Sequence, residues 1–150
     1  MKEIFSCARA YMKRSGNPTQ WKDDRPGIDL VLNDIANNNS YLVIDDEEII
    51  GTFACIRGIE PTYLDIDGKW LNDDEYVTIH RVASDGSRKG VFDEIIRYCE
   101  KMNIDIRIDT HKDNKTMIHL IEKNGFTYCG IIIVDDGTPR LAYQKICRKY

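Results

Sequence analysis

Hydrophobic positions change their spacing several times along this chain, and each change marks an element. Ile4, Ala8, Tyr11 and Met12 recur at helical spacing until Ser15-Gly16-Asn17-Pro18, a run of strong breakers. After Trp21 and the turn-prone Asp24-Arg25-Pro26-Gly27 comes a second stripe. Ile28, Val31, Leu32, Ile35 and Ala36 fall at i, i+3, i+4, i+7 and i+8, which predicts an amphipathic helix with those residues inward. Asn37-Asn38-Asn39 ends it.

The period then shortens. Tyr41–Ile44 and Ile49–Ile56 are rich in β-formers and flank the acidic turn Asp45-Asp46-Glu47, so they predict an antiparallel hairpin. Arg57–Asp74 holds Gly58, Pro61, Gly68 and several acids around Tyr63 and Trp70, and reads as a long loop with room for a small hairpin centred on Asp67-Gly68. Loops of that length are often functional. Tyr76–Ala83 is a strand, Ser84–Gly90 a polar turn, and Phe92, Ile95, Ile96, Cys99 and Met102 mark an amphipathic helix. Ile104, Ile106 and Ile108 alternate with Asp105, Arg107 and Asp109, the pattern of a strand with one solvated face. Asn114–Asn124 is a helix stopped by Gly125, and Phe126–Val134 and Leu141–Ile146 are two last strands. The order ααββ-loop-βαβαββ predicts an α/β (α+β) domain spanning residues 1–150, with a mixed, mostly antiparallel sheet and helices on both faces.

Composition narrows the function classes. With 42% hydrophobic and 31% charged residues the chain reads as an ordinary globular protein, and a net charge of −4 argues against a nucleic-acid partner. No apolar run approaches the ~20 residues of a membrane helix, and Lys2, Glu3 and Arg9 interrupt any signal-like core in Met1–Ala10, so the expected location is cytoplasmic. The five cysteines form no Cys-x-x-Cys pair and are expected to be reduced; Cys55, Cys99 and Cys129 lie in apolar surroundings, as small hydrophobes do. The three histidines lack metal-ligand spacing, so no metal is expected.

Chemistry concentrates in the second half. The turn Ser84–Gly90 lies between the end of a strand and the start of a helix, where free N–H groups and the helix dipole favour an anion. It carries two glycines with Arg88 and Lys89, which suit a pyrophosphate, although similar turns exist for geometry and solubility alone.

The element order, together with Ile79-His80-Arg81-Val82-Ala83 and Asn114 … Lys123-Asn124-Gly125-Phe126, resembles the GNAT N-acetyltransferase superfamily. The resemblance implies acetyl-coenzyme A as acetyl donor and a primary amine, on a small molecule or peptide, as acceptor, joined by direct transfer in a ternary complex. It implies that Val82, Ala83 and Ser84 lie along the pantetheine and that Ser87, Arg88, Lys89, Gly90, Val91 and Phe92 wrap the pyrophosphate. Of the family's Arg/Gln-x-x-Gly-x-Gly/Ala pattern only the central glycine, Gly90, is kept; Phe92 stands where Gly or Ala is usual, and its side chain is expected in the core with the rest of its helical stripe. Asn114 matches an asparagine that bonds the pantetheine, and it also suits a helix N-cap.

An acetyl acceptor must lose a proton, and His80 stands on the strand where the family often places its base; a histidine's ordinary pKa, near ~6.5, suits that task. A packed, hydrogen-bonded histidine is the alternative, and Glu75 is the second candidate base. The family's usual tyrosine acid would fall at Ile121, which cannot donate a proton. His119 is expected on the surface, and His111 lies at a strand end. Trp21, Tyr63 and Trp70 are candidates for lining the acceptor site, or for stapling their loops to the core. Three rival readings remain at this point: an acyl-coenzyme A sensor, a non-catalytic interaction module that keeps only the fold, and an enzyme that transfers an acyl group other than acetyl. The edge strands near the C-terminus offer a surface for a homodimer.

Overall fold

The structure, a computed structural model, describes Ile4, Phe5 and residues 27–147. Ile4 and Phe5 are helical and buried, which fits the first predicted helix; the rest of that helix and Trp21 lie outside the described residues. The elements that follow are α1 (Ile28–Ala36), β1 (Ser40–Asp45), β2 (Glu48–Arg57), a 3-10 turn (Pro61–Tyr63), β3 (Ile66–Gly68), β4 (Tyr76–Ser84), α2 (Val91–Glu100), β5 (Asp105–Thr110), α3 (Lys115–Lys123), β6 (Thr127–Ile133) and β7 (Pro139–Lys145). The strands form one sheet in the order β1-β2-β4-β5-β7-β6-β3. Among the described strands only β4 and β5 run parallel, as a strand–helix–strand crossover requires.

One face of the sheet is apolar. Val77, Ile79, Ile106, Ile108 and Tyr143 pack against Phe92, Ile95, Ile96 and Cys99 of α2 and Ile121 of α3. Phe92 is buried there, as its place in the stripe predicts, and so is Ile121. Gly51 lets the start of α2 close onto β2: a side chain at that position would meet Val91 Cγ1 at 3.0 Å and Ala83 O at 3.1 Å.

The opposite face departs from expectation in three ways. Asp105 and Arg107 of β5 are buried rather than solvated, because the 58–75 segment lies over them. Arg107 is clasped between the rings of Trp70 and Tyr76, its Cζ 4.1 and 4.0 Å from their centroids, and Nη2 donates to Asn72 O. Asn72 also donates to Asp105 and accepts from Gln144, so one loop residue satisfies three strand residues. Second, Ile66–Gly68 is not half of a local hairpin. It crosses the sheet and pairs with β6 at the far edge. Third, α1 turns only Val31 and Asp34 inward and leaves Ile28, Leu32 and Ile35 about half exposed, because its seat on the sheet is narrow: Val31 packs on Ala83 and Asp34 meets Arg81.

Candidate active site

β4 and β5 share three rungs, Tyr76↔Asp105, Val77↔Ile106 and Thr78↔Arg107, and then part. β4 continues to Ser84 along β2, and β5 to Thr110 along β7. From Ile79 onward no described strand pairs with the β5-facing edge of β4, so its backbone N–H and C=O groups border a V-shaped opening. A β-bulge falls in the same stretch: Thr52 faces Ala83 and Ala54 faces His80, leaving two residues of β4 opposite Phe53.

α2 begins at the mouth of this opening. Its N-cap, Gly90, has φ +80°, a conformation glycine adopts readily, and no side chain caps the first amides. The preceding turn is tied internally, with the Ser87 N–H and hydroxyl both donating to Asp85 Oδ1 at 2.8 and 2.6 Å. Arg88 is drawn the other way, its guanidinium reaching Asp45 at 2.8 Å and Glu48 at 3.3 Å on the β1–β2 hairpin. Lys89 is exposed. The Ala83 side chain is buried against Ile4, Phe5 and Val31, Val82 packs toward the helix face, and Ser84 pairs with Gly51. What Val82–Ser84, Gly90, Val91 and Phe92 can offer a ligand is therefore mainly backbone.

His80 stands two residues beyond the last shared rung, its side chain 20% exposed. Its Nε2 lies 3.5 Å from Glu60 Oε2. Glu60 is itself held: its N–H donates to the Tyr76 hydroxyl at 2.9 Å, and Thr62 Oγ1 donates to Oε1 at 2.8 Å. The hydrogen bond from His80, helped by Thr62 and opposed by burial, pulls the Glu60 carboxyl down to about 2. Beside them Tyr63, fully buried, sets its ring 6.4 Å from His80 and 5.0 Å from Trp70, tilted at 41° to each, and its hydroxyl donates to Asp109 Oδ2 at 2.7 Å. Burial, then the Asp109 charge, pushes the Tyr63 hydroxyl well above the ordinary tyrosine range, so it stays a donor. Trp70 donates Nε1–H to Tyr63 O. Both aromatics staple the loop to the sheet, with Tyr63 forming the floor beside His80. Glu75 is exposed at the opposite, closed end of β4.

The segment after β5 leads from the end of that strand into α3. Asn114 caps α3, its Oδ1 accepting from Met117 N at 3.1 Å. His111 is buried, with Nδ1 accepting from Asp113 N, and burial together with Arg140 lowers its pKa. His119 is exposed. No group of three or more histidine, cysteine or acidic residues able to hold a metal occurs among the described residues. Glu60 and Asp109 are the site residues that sequence reasoning overlooked. Glu60 sits in a loop without periodicity, and Asp109 looked like one more solvated position on β5.

A parallel pair that parts halfway, with a helix opening at the mouth, is the arrangement that the resemblance to acetyl-coenzyme A-dependent acyltransferases implies. No protein-family profile matches the sequence, and no curated protein does. Solved structures do. A GNAT-family acetyltransferase from Streptococcus agalactiae shares 35% identity over 97% of this chain and 87% of its own, at a TM-score of 0.84. One from Listeria monocytogenes shares 22% over 96% and 86%, at 0.68. An aminoglycoside 6'-N-acetyltransferase complexed with coenzyme A has the same fold at 14% identity, covering 99% and 91%, at 0.58. The chain belongs to the GNAT family of acetyltransferases.

Proposed function

We propose that this chain moves the acetyl group of acetyl-coenzyme A directly to a primary amine of a small molecule or peptide, with both bound at once. The pantetheine lies in the opening, along the free β4 edge at Val82, Ala83 and Ser84, as an added strand would. Its pyrophosphate sits at the start of α2, on the amides of Gly90, Val91 and Phe92, with Ser87 and Lys89 alongside. Arg88, turned to Asp45 and Glu48, shapes the turn and adds positive potential rather than gripping the phosphate. Asn114, at the N-cap of α3, contributes to the pantetheine side as well as capping its helix.

The observation that carries the catalytic half is the His80–Glu60 contact at the edge of the opening. With Nε2–H given to Glu60, the imidazole lone pair is on Nδ1, ready to take the amine's proton as its nitrogen attacks the thioester carbon. The carbon–sulfur bond then breaks and coenzyme A leaves as its thiolate, taking a proton from water or from the acceptor, since Ile121 is buried in the core. Tyr63 and Trp70 set the shape of the acceptor side from beneath; Trp21, the third candidate for lining it, lies outside the described residues. Glu60 and Asp109 make that side negative, which suits a cationic amine before it is deprotonated. A reducing cytoplasmic setting goes with four described free cysteines. An acyl-coenzyme A sensor without turnover is the second reading, favoured by the missing donor at Ile121.

Release of free thiol from acetyl-coenzyme A against an amine panel tests both. We expect turnover with at least one amine, and a loss of ~10-fold or more in His80→Ala, the low side of general-base effects. An unchanged rate removes His80 as the base. Tight coenzyme A binding with no turnover on any amine selects the sensor.

A further inference from the structure

Five described non-glycine residues have positive φ; Asn38, Asp46, Glu47 and Asn103 lie in turns, and Arg81, at +53°, alone lies inside a strand. A long side chain stays in that region only when its surroundings impose it. The bulge requires the conformation, and Asp34 supplies the constraint. Its two oxygens receive Arg81 Nε at 2.6 Å and Nη2 at 2.7 Å, with side chains 6% and 15% exposed. This is a two-pronged contact with fixed direction as well as charge.

The geometry points to Asp34 as a positioning residue for coenzyme A: through Arg81 it holds the β4 bulge in the shape that presents the free strand edge to the pantetheine. This rests on reading that edge as the pantetheine strand. Both inward residues of α1 act on the same short stretch, Val31 on Ala83 and Asp34 on Arg81, and that stretch is the part of β4 that has left β5. If Arg81 relaxes to an extended conformation, the extra residue no longer fits opposite Phe53. The pairing must slip, and Val82–Ser84 exchange the faces to which their side chains and amides point. Carboxylate, bulge and strand edge thus form one chain of constraint, with α1 as its far end.

The whole chain tests this with Asp34→Asn, whose amide nitrogen meets Arg81 donor to donor, and with the same change combined with Arg81→Gly. Glycine takes φ +53° unaided. We expect Asp34→Asn to raise the coenzyme A Kd and the KM for acetyl-coenzyme A about tenfold, with kcat at saturation within about twofold, as losing one strained conformer implies. The double variant returns to within about twofold of the parent Kd, because it keeps the bulge without the clamp. A merely structural clamp lowers the melting temperature of both variants but leaves the Kd, measured well below it, unchanged; that result overturns the proposal. So does a double variant as weak as Asp34→Asn. Should Asp34→Asn not fold, Arg81→Ala takes its place, since alanine resists φ +53°: a Kd about tenfold above that of the double variant supports the role, and equal Kd values overturn it. A parent that binds no coenzyme A instead sinks the reading of the opening, and the positioning role with it.

Discussion

An imidazole on a strand edge can turn unless something takes its other nitrogen, and for His80 that partner is Glu60. The carboxyl of Glu60, held down to about 2, is depressed below its ordinary ~4.3, so its contribution to stability is present above that value and is lost as pH falls through about 2. Glu60→Gln is therefore expected to cost about 1 kcal/mol near neutral pH, a figure reduced for its partial exposure. Parent and variant should converge in urea melts taken toward pH ~2. A gap that persists there would place the stabilisation elsewhere. His80 was legible in the sequence because the strand around it was. Glu60 was not, since proximity between a loop residue and a strand residue twenty positions on leaves no trace in periodicity. Arg81 is similar: alternation implies one face for it, and the bulge gives it another.

At the scale of elements, spacing located the pieces well and their environments less well. Phe92, Ile95, Ile96 and Cys99 form the buried stripe their spacing predicts. Asp105 and Arg107 alternate as a solvated strand face would, yet lie beneath the 58–75 segment, because a period tells which residues share a face and not what covers it. β3 is the clearest case. Three residues ending in glycine carry little strand signal, and the pairing depends on two glycines meeting across the ladder. Gly68 and Gly130 are register partners with φ +140° and +147°. A side chain on Gly68 would come within 2.2 Å of Cys129 O, and one on Gly130 within 2.3 Å of Asp67 O. Gly130→Ala should detach β3 and lower stability by roughly 2–3 kcal/mol. Hydrogen exchange at the Lys69 amide, which donates to Cys129 O at 2.9 Å, should then accelerate sharply. An unchanged Lys69 amide would show that the pairing tolerates a Cβ.

Across the whole molecule, the sheet separates two kinds of construction. The helix face is a continuous apolar core, while the opposite face is held by a clasped guanidinium, a shared asparagine and buried acids. The opening between β4 and β5 lies where the two meet, so a ligand there touches strand backbone on one side and His80 with its loop partners on the other. Amides near Asn72 and Lys69 should exchange through smaller openings than those of Val77 and Ile106, which are fully buried. Equal exchange energies across both groups would mean that the strap unfolds only with the core. The β3 pairing also sets an order of events in synthesis. Ile66 has no partner until Ile132 has been made, so a chain emerging from the ribosome must leave β3 unpaired while β4, α2 and β5 form behind it. The strap that crosses the sheet is thus fastened first to β4 and β5 and only last at its far end, so a chain cut short before β6 would keep the near anchors and lose the far one.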